Sequence, residues 1–396
     1  MFHSILILFS LLIFLYVFIS TCYLFILALG GTIVKGEQFT VNPVKKKIAV
    51  IVPTYKEDHI IPDTAQKAAR HDYPQEFFSI MVVADDLQPD TIQTLRQIPV
   101  ETLEVSERMK SRSINRALEE LSDRSFDIVM ILDADNIMAD GCLEKVNDAF
   151  HNGYKAVQCH RTAKNKHTTV ALLDAISEEI NINLFRRGPA NLGLSAAPIG
   201  SGMAFDFELI KEIFSSEEIL NNPGEDREID LELMKRKIKM EFINDALVYD
   251  EKVSSTEVFE KQRVRWLEAQ VNHVKRFFHS DMNKAPKTAL YFNKFFQNLL
   301  LPRILFLLLY TIVFILLLIQ LILSVRILYP GPGWWLASIF LYGMTLLISI
   351  PSIYYSRETF KALLHVPVMM LSMVKALLKI KKNRKEFLHT PKSFTK

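Results

Sequence analysis

Very apolar blocks at the two ends of the chain limit what this sequence can fold into. Residues 5–29 carry no charged side chain, and further uncharged apolar stretches lie at 304–325 and 333–353. A helix needs roughly 20 residues to cross a bilayer core of ~30 Å, so each block is long enough to span a membrane. The Pro- and Gly-rich segment 329–333 predicts a helical hairpin from the last two. Buried helices of a soluble core are the alternative interpretation.

The first apolar stretch is expected to be a permanent anchor. It is too long for a signal peptide, and neither a basic segment nor a small-residue cleavage site stands out beside it. A cleaved signal is the alternative. Basic residues flank the first and the last span, whereas the hairpin connection offers only Arg326. Since cytoplasmic flanks are rich in Lys and Arg, we expect a multi-pass protein of the cell (inner) membrane, with the middle region and C-terminus cytoplasmic.

The segment after the hairpin differs from the spans. Residues 360–380 mix Leu, Met and Val with lysines, a histidine and Pro367, which predicts an interfacial amphipathic helix rather than a fourth span. The basic tail, Lys381, Lys382, Arg384 and Lys385, is then expected to contact membrane lipids. The predicted division is an anchor (1–34), a cytoplasmic domain (35–285), an interfacial helix with a transmembrane hairpin (286–355), and an interfacial helix with the tail (356–396).

Charge and cysteine content exclude some function classes. The formal net charge is +3, and the basic residues gather beside the apolar blocks rather than in a stripe with interleaved aromatic side chains. Nucleic acid is therefore not an expected partner. The three cysteines are too few and too scattered for a disulfide framework or a zinc site.

The middle region alternates strand-like and helix-like segments. Strand-like runs at 47–53 and 78–84 are separated by a helix-like stretch, and a third apolar run covers 126–132. This alternation predicts an α/β fold with a mostly parallel sheet covered by helices on both faces. Ligands bind beyond the carboxyl ends of the strands in such sheets. The second run ends in Asp85-Asp86, and the third ends in Asp133-Ala134-Asp135.

Asp133 and Asp135 are a candidate metal site. At a strand end, two acids one residue apart project to the same side and can bind one divalent cation. The alternative is that they cap a following helix, which Gly141 also suits. No P-loop or G-x-G-x-x-G pattern follows the first strand. A nucleotide diphosphate held through Mg²⁺ or Mn²⁺ would use both acid pairs together with Tyr55, Glu57, Lys110 and Asn115. Taken alone, Tyr55, Lys110 and Asn115 are ordinary surface residues.

Two later motifs add candidates with two interpretations each. Gly200-Ser201-Gly202 allows backbone to approach a ligand closely, or forms a plain turn before a strand. Asp226 lies in the first turn of a predicted helix, where an acid complements the helix dipole. A carboxylate in that place can also point into a cleft and act as a base.

Gln262, Arg265 and Trp266 fall at i, i+3 and i+4 of a predicted helix and share one face. An amide, a guanidinium and an indole together can hydrogen-bond to a sugar, stack on it and offset pyrophosphate charge. A basic helix resting on the membrane surface is the alternative.

In chain order, V-P-T-Y-K-E, D-D, K-x-x-x-x-N, D-A-D, G-S-G, E-D and Q-R-V-R-W cover about residues 45–280. Together they resemble the family 2 glycosyltransferases of the membrane-integrated synthase type, similar to the cellulose, hyaluronan, chitin-oligosaccharide and poly-N-acetylglucosamine synthases with their QxxRW motif. The resemblance implies a GT-A fold and a hexosyl- or N-acetylhexosaminyl-transferase. Leu87-Gln88 departs from the D-D-G-S of many relatives, which puts the expected ribose contacts in doubt.

The resemblance also implies roles for single residues. The nucleotide base and ribose would contact Tyr55, Glu57 and one or both of Asp85 and Asp86, with Lys110 near the donor. The donor and Mg²⁺ or Mn²⁺ would contact Asp133 and Asp135, with Asp135 favoured as the direct metal ligand. The general base that deprotonates the acceptor would be Asp226. The diphosphate and acceptor sugar would contact Gln262, Arg265 and Trp266, with Gly200, Ser201 and Gly202 on the acceptor side.

The implied reaction is inverting transfer of a sugar from a nucleotide-sugar, expected to be a UDP-sugar, to a growing polysaccharide at the cytoplasmic membrane face. Three spans enclose little of a channel, so secretion of a polymer would need a homo-oligomer or an export subunit. Non-processive transfer to a lipid or lipid-linked acceptor is the alternative. A non-catalytic membrane scaffold or nucleotide-sugar sensor is a third interpretation.

Overall fold

A computed structural model describes residues 2–253, 256–279, 282 and 285–379. In this part of the chain, eight strands form one sheet in the order β3-β2-β1-β4-β7-β6-β8-β5. Its strands are β1 (Ile48–Tyr55), β2 (Phe78–Asp85), β3 (Glu101–Val105), β4 (Ile128–Ile131), β5 (Ile137–Met138), β6 (Ala156–Ala163), β7 (Met203–Asp206) and β8 (Glu241–Asp250).

The helices fall into two groups, those that precede β8 and those that follow it. Helix α1 (Phe2–Thr32) precedes the first strand. Between the strands lie α2 (Ile61–Ala69), α3 (Pro89–Leu95), α4 (Lys110–Glu120), α5 (Cys142–His151), α6 (Thr169–Ile182), α7 (Gly188–Asn191), α8 (Phe207–Phe214), α9 (Glu217–Leu220) and α10 (Glu225–Lys235). After the sheet come α11 (Thr256–Arg276), α12 (Ala289–Leu299), α13 (Arg303–Leu323), α14 (Pro332–Ser349), α15 (Arg357–Leu363) and α16 (Val366–Leu378).

The predicted α/β sheet with helices on its faces is confirmed, and one half of it is parallel. Strands β3, β2, β1 and β4 run parallel, but β7 lies antiparallel between β4 and β6, and β5 is antiparallel to β8. The reversal follows from the turn at 200–202, whose Gly202 N–H donates to the Ile131 carbonyl at 2.9 Å and feeds β7 back along β4.

Strand β1 shows why its apolar run is unbroken. Val50 and Val52 pack into the core on one face of the sheet, and Ala49 and Ile51 pack into the core on the other. Successive side chains of a strand point to opposite faces, so a strand buried on both faces needs apolar residues throughout.

Three of the described helices, α1, α13 and α14, are long and apolar enough to cross a membrane, which agrees with the predicted spans. Their ends are paired. Near one end of the bundle, Ser10 Oγ donates to the Tyr329 carbonyl at 2.9 Å, and at the other end Thr32 Oγ1 donates to the Ile348 carbonyl at 3.0 Å. The hairpin connection therefore lies at the end of the bundle opposite the sheet domain.

The membrane helices dock directly on the sheet domain. A π-helical segment, Asn183–Arg187, continues α6, and its first residue donates through Nδ2 to the Ala28 carbonyl of α1 at 3.2 Å. A Cβ at Gly188 would lie 2.2 Å from the Leu27 carbonyl oxygen, so only glycine permits this approach. One apolar cluster joins α1, α6, α13 and α14.

The predicted single helix over 360–380 is two helices, α15 and α16, bent by 46°. Pro367 stands in the first turn of α16, where its missing N–H is tolerated but a continuous helix is not. The pair counts as a fourth candidate span only if both helices cross together. Helix α16 also packs Met373 and Ala376 against Val264 and Leu267 of α11. The basic tail and its expected lipid contacts lie outside the described residues.

Candidate active site

One cavity of about 870 Å³ runs from the strand ends of the sheet to the membrane helices. Its lining from the first half of the sheet includes Tyr55, Glu57, Asp85, Lys110, Asp133 and Gly200. Its lining from the later helices includes Asp226, Gln262, Arg265 and Trp266. The membrane segments contribute Leu24, Leu300, Leu301, Phe306 and Tyr342. Most of the predicted site residues therefore share one space, and that space reaches the membrane helices.

Asp85, the last residue of β2, is 1% exposed. Its Oδ2 accepts from the Arg108 N–H at 2.6 Å and from Ser113 Oγ at 3.1 Å, while its Oδ1 has no partner among the described residues. Burial raises the pKa of this carboxyl, and the two hydrogen bonds oppose the rise. Asp85 thus fixes the loop before α4 and keeps one oxygen for a ligand.

Asp86 does not join Asp85. It is exposed, has a positive φ of 58°, and pairs with Lys56 Nζ at 3.2 Å. Lys56 also lies over the Tyr55 ring, 5.3 Å from its centroid. Of the predicted base and ribose contacts, Tyr55, Glu57 and Asp85 line the cavity, whereas Asp86 braces the loop beside it.

The acidic pair sits on a turn rather than on a strand. Strand β4 ends at Ile131, and residues 133–135 form the turn that leads into β5. The alternative of a helix cap is wrong, because α5 begins after Gly141 without a side-chain cap. Asp133 lines the cavity, while Asp135 is 2% exposed and accepts from Asn136 Nδ2 at 3.4 Å. The turn presents one carboxylate to the cavity and keeps the second behind it.

Lys110, the first residue of α4, joins three parts of the site. Its Nζ lies 2.7 Å from Asp133 Oδ1, 2.7 Å from the Gly200 carbonyl and 3.0 Å from Glu225 Oε1. Burial opposes the charged ammonium, but the carboxylates of Asp133 and Glu225 outweigh it and raise the pKa of Lys110 above its usual value. Lys110 therefore stays protonated and ties together the acidic turn, the glycine turn and the start of α10.

Of the glycine turn, only Gly200 faces the cavity. It has a φ of +79°, and a Cβ there would lie 3.6 Å from Lys110 Nζ and 3.8 Å from Asp226 Oδ2. Ser201 is fully buried: it accepts from the Asp133 N–H at 2.9 Å and donates to Asn136 Oδ1. Ser201 therefore supports the acidic turn from behind, and Gly202 bonds to the end of β4. Neither lines the cavity, which corrects the acceptor-side role that the resemblance implies for them.

Asp226 lies in the first turn of α10 and lines the cavity. Its neighbour Glu225 is 5% exposed and ion-pairs with Lys110. Burial raises the pKa of Glu225, which the ammonium of Lys110 opposes. Both acids line the cavity, but Glu225 is committed to Lys110, and Asp226 is the member of the pair outside that ion pair.

Helix α11 places Gln262, Arg265 and Trp266 along the cavity wall as the spacing predicts. Gln262 Oε1 is buried without a partner in the described part of the chain. Burial lowers the pKa of Arg265, and the carboxylates of Glu225, Asp133 and Asp226 act against that shift. Arg265 therefore brings positive charge close to the acidic turn and to Asp226.

Arg263 of the same motif was not among the predicted site residues. Its guanidinium carbon lies 4.3 Å from the Phe259 ring centroid and 4.0 Å from that of Trp266, and Nη2 donates to Asp174 Oδ1 at 2.6 Å. This stack holds the indole in place by cation–π contact. The signal in the sequence is the first arginine of Q-R-V-R-W, which has aromatic residues at i−4 (Phe259) and i+3 (Trp266).

The residues present fit a divalent cation with a diphosphate. No group of three or more His, Cys, Asp or Glu that could hold a metal ion occurs among the described residues. Mg²⁺ in nucleotide sites usually takes only one or two protein carboxylates together with phosphate oxygens. Asp133 faces the cavity and is such a carboxylate, whereas Asp135, the expected direct metal ligand, is 2% exposed and lies outside the cavity lining.

No sequence motif predicted several of the residues that line the cavity. Arg161 donates through Nε to Glu178 Oε1 at 2.7 Å, and Arg186 donates through Nε to the Ala197 carbonyl at 3.0 Å. Burial lowers the pKa of Arg186 to about 9, with Arg161 adding to the effect. Arg303, the first residue of α13, also lines the cavity and directly precedes the apolar stretch 304–325.

Comparisons with known proteins agree with this architecture. A family profile described as "Glycosyltransferase like family 2" matches residues 45–269, more than half of the chain. No curated protein matches the chain significantly. A solved mannosyltransferase from Pyrobaculum calidifontis, in complex with GDP-Man and Mn²⁺, has a TM-score of 0.50 at 16% identity and covers 92% of this chain and 98% of its own. TarS from S. aureus has a TM-score of 0.39 at 17% identity, covering 60% of this chain and 41% of its own.

Proposed function

We propose that this chain, which belongs to the glycosyltransferase-like family 2, transfers a sugar from a nucleotide-sugar to a lipid-linked acceptor at the membrane surface. The observation that carries the proposal is the shared cavity. Asp226 and Arg265 line the same space as Leu24 of α1 and Phe306 of α13. A lipid-borne hydroxyl can reach the base while its apolar chain stays among the membrane helices.

The donor end is assigned to the nucleotide diphosphate. Tyr55 and Glu57 line the cavity together with Asp85, whose Oδ1 has no partner among the described residues, and we expect the nucleoside there. We expect UDP as the nucleotide, with GDP as the alternative, since the Pyrobaculum mannosyltransferase is solved with GDP-Man. Asp133 and Asp135 would hold Mg²⁺ or Mn²⁺, which would neutralise the diphosphate.

The chain's own residues supply the remaining chemistry. Asp226 takes the proton of the acceptor hydroxyl, whose oxygen forms a bond to the anomeric carbon as the bond from that carbon to the diphosphate oxygen breaks. The configuration at that carbon inverts in one such displacement. Arg265 stabilises the charge on the departing diphosphate. Lys110 keeps Asp133 and Glu225 in position.

Elongation of a polysaccharide is the second candidate. It is favoured by Gln262, Arg265 and Trp266, which line the cavity wall and match the motif of the synthases. The expected homo-oligomer or export subunit belongs to this candidate. For either reaction we propose that residues 35–285 form the catalytic domain and that it faces the cytoplasm.

The test uses purified full-length protein in phospholipid vesicles with a short polyprenyl phosphate, a polyprenyl-linked sugar, Mn²⁺ and a panel of radiolabelled UDP- and GDP-sugars. We expect label in the organic phase as a lipid carrying one added sugar. Label in an insoluble polymer would support the polysaccharide reaction. Nucleotide binding without any transfer would leave only the scaffold or sensor interpretation.

A further inference from the structure

At its membrane end the cavity contains two buried arginines that are not fully hydrogen-bonded. Arg303 Nη2 donates to the Ser177 carbonyl at 2.7 Å and to Ser177 Oγ at 2.6 Å, but its Nη1 is buried without a partner among the described residues. In the same described set, Nε of Arg263 is also buried and unpartnered. A buried donor without a partner is unfavourable, so a ligand oxygen that accepts from it binds more tightly.

The two arginines meet on one face of α6. Arg263 contacts Asp174, and Arg303 contacts Ser177. Residues three apart in a helix lie on the same face. Asp174 neutralises Arg263, whereas no carboxylate lies within ion-pair distance of Arg303 in the part of the chain that the structure describes. Among the described residues, Arg303 therefore has no carboxylate paired with it at this corner of the cavity.

The surroundings of Arg303 are apolar on the membrane side. It is the first residue of α13, a 21-residue helix that is apolar enough to span a bilayer. Such a helix covers roughly 30 Å, so its first residue lies at the edge of the hydrocarbon core, where lipid phosphates sit. Phe306 and Leu301 line the cavity next to it. The N-terminal end of the helix adds further positive potential.

We infer that Arg303, supported by Arg263 and Ser177, forms a subsite for the phosphate of a phosphate ester carried on an apolar chain. The inference rests on the proposed function, since the ligand is the lipid-linked acceptor. The phosphate oxygens accept from Nη1 of Arg303 and Nε of Arg263, while the chain contacts Phe306 and Leu301. The subsite lies at the membrane end of the cavity, and the donor diphosphate binds at the other end, beside the acidic turn.

A direct test measures binding of farnesyl phosphate and farnesol to the full-length protein in phosphatidylcholine nanodiscs. We expect Arg303→Gln to weaken farnesyl phosphate binding by roughly 10- to 100-fold, the loss typical of a charge-assisted hydrogen bond. Farnesol affinity is expected to stay within twofold. The farnesyl phosphate affinity of Arg303→Lys, which keeps the charge, is expected to lie between those of the unmodified protein and Arg303→Gln. Equal loss of both ligands, or no loss of either, would overturn the subsite.

The matched control is Arg326→Gln, which removes an arginine from the opposite end of the same hairpin, where its guanidinium lies 4.6 Å from the Tyr329 ring centroid. It is expected to bind both lipids normally. UDP and GDP binding must also persist in Arg303→Gln, which shows that the variant is folded. If nucleotide binding is lost as well, Arg303→Lys decides: a selective loss of farnesyl phosphate supports the subsite, and unchanged binding overturns it.

Competition separates the sources of the phosphate. Farnesyl phosphate binding is measured with an equal concentration of inorganic phosphate, or of phosphatidic acid added to the nanodiscs. If either competitor displaces farnesyl phosphate, the assignment of the subsite to the acceptor is overturned. The two proposals also fail separately. If farnesyl phosphate binds at Arg303 but no label is transferred to lipid, only the proposed function is contradicted. If label is transferred to lipid and Arg303→Gln leaves the KM for the lipid acceptor unchanged, only the subsite is contradicted.

Discussion

The two ends of the cavity handle their charges differently. At the donor end, Lys110 is bonded to Asp133, Glu225 and the Gly200 carbonyl, so the charged groups hold one another in place. At the membrane end, Arg303 has a buried N–H without a partner among the described residues. The charged groups of the donor end are thus already paired without a ligand. At the membrane end, we propose that the ligand supplies the missing hydrogen-bond acceptor. The variants Asp133→Ala and Phe306→Ala are expected to damage one end and spare the other.

The largest effect is expected for Asp226→Asn. An amide cannot accept the acceptor proton, and general-base catalysis contributes typically 10²–10⁴-fold, so turnover should fall by about that factor. Nucleotide and farnesyl phosphate affinities should stay within about twofold. Asp90→Asn is the matched control, because Asp90 is the second residue of α3 as Asp226 is of α10, and it is exposed. Near-normal turnover in Asp226→Asn would remove its assigned role.

Asp133→Ala is expected to affect the donor end alone. Removing this carboxylate takes away a metal ligand and a partner of Lys110, so Mn²⁺-dependent UDP or GDP binding should weaken at least tenfold, while farnesyl phosphate affinity is retained. Calorimetric titration with and without EDTA measures both. The exposed Asp123→Ala is the control. If metal-independent binding equals metal-dependent binding in the unmodified protein, the metal assignment is wrong.

Phe306→Ala is expected to affect the membrane end alone. Phe306 is 1% exposed and lines the cavity, so its loss should raise the KM for a polyprenyl-linked acceptor by about tenfold without changing nucleotide affinity. Phe314→Ala removes the same side chain from the same helix at a position that is 46% exposed. A similar KM change in both variants would contradict an acceptor path along Phe306.

The smallest effect concerns Asp85 and pH. Burial raises its folded-state pKa above the ordinary value of about 3.9, so between these two values the folded protein binds more protons than the unfolded one. The contribution of Asp85 to the free energy of unfolding therefore decreases as pH rises through that window. Thermal unfolding of the unmodified protein and Asp85→Asn across pH 4–7 measures it: the stability difference should shift in favour of the variant as pH rises. A constant difference would contradict the raised pKa.

The sequence predicts the donor end well because its signals are local. Apolar runs identify β1, β2 and β4, and the acids that follow them lie where strands of a parallel sheet end. The prediction is wrong in detail where a turn replaces a strand, at Asp133 and Asp135, since a two-residue periodicity no longer applies there. It also misplaces Ser201, whose hydroxyl faces the back of that turn.

The membrane end could not be predicted in the same way. Arg303 and Ser177 are 126 positions apart, and nothing in either segment marks them as partners. The composition of the apolar helices predicts that they span a membrane. Which of their residues line the shared cavity depends on how these helices pack against α6. Gly188, which allows α1 to approach, was not recognised for the same reason.

The most direct test of a single cavity with a nucleotide end and a lipid end is photocrosslinking. A farnesyl phosphate with a diazirine in its first isoprene unit is irradiated with the full-length protein in nanodiscs, and the adducts are mapped by mass spectrometry. We predict adducts at Leu301, Phe306 and Leu24, which excess farnesyl phosphate suppresses. Adducts confined to the lipid-facing side chains of α13, such as Leu321 and Ile322, would contradict an acceptor path into the cavity.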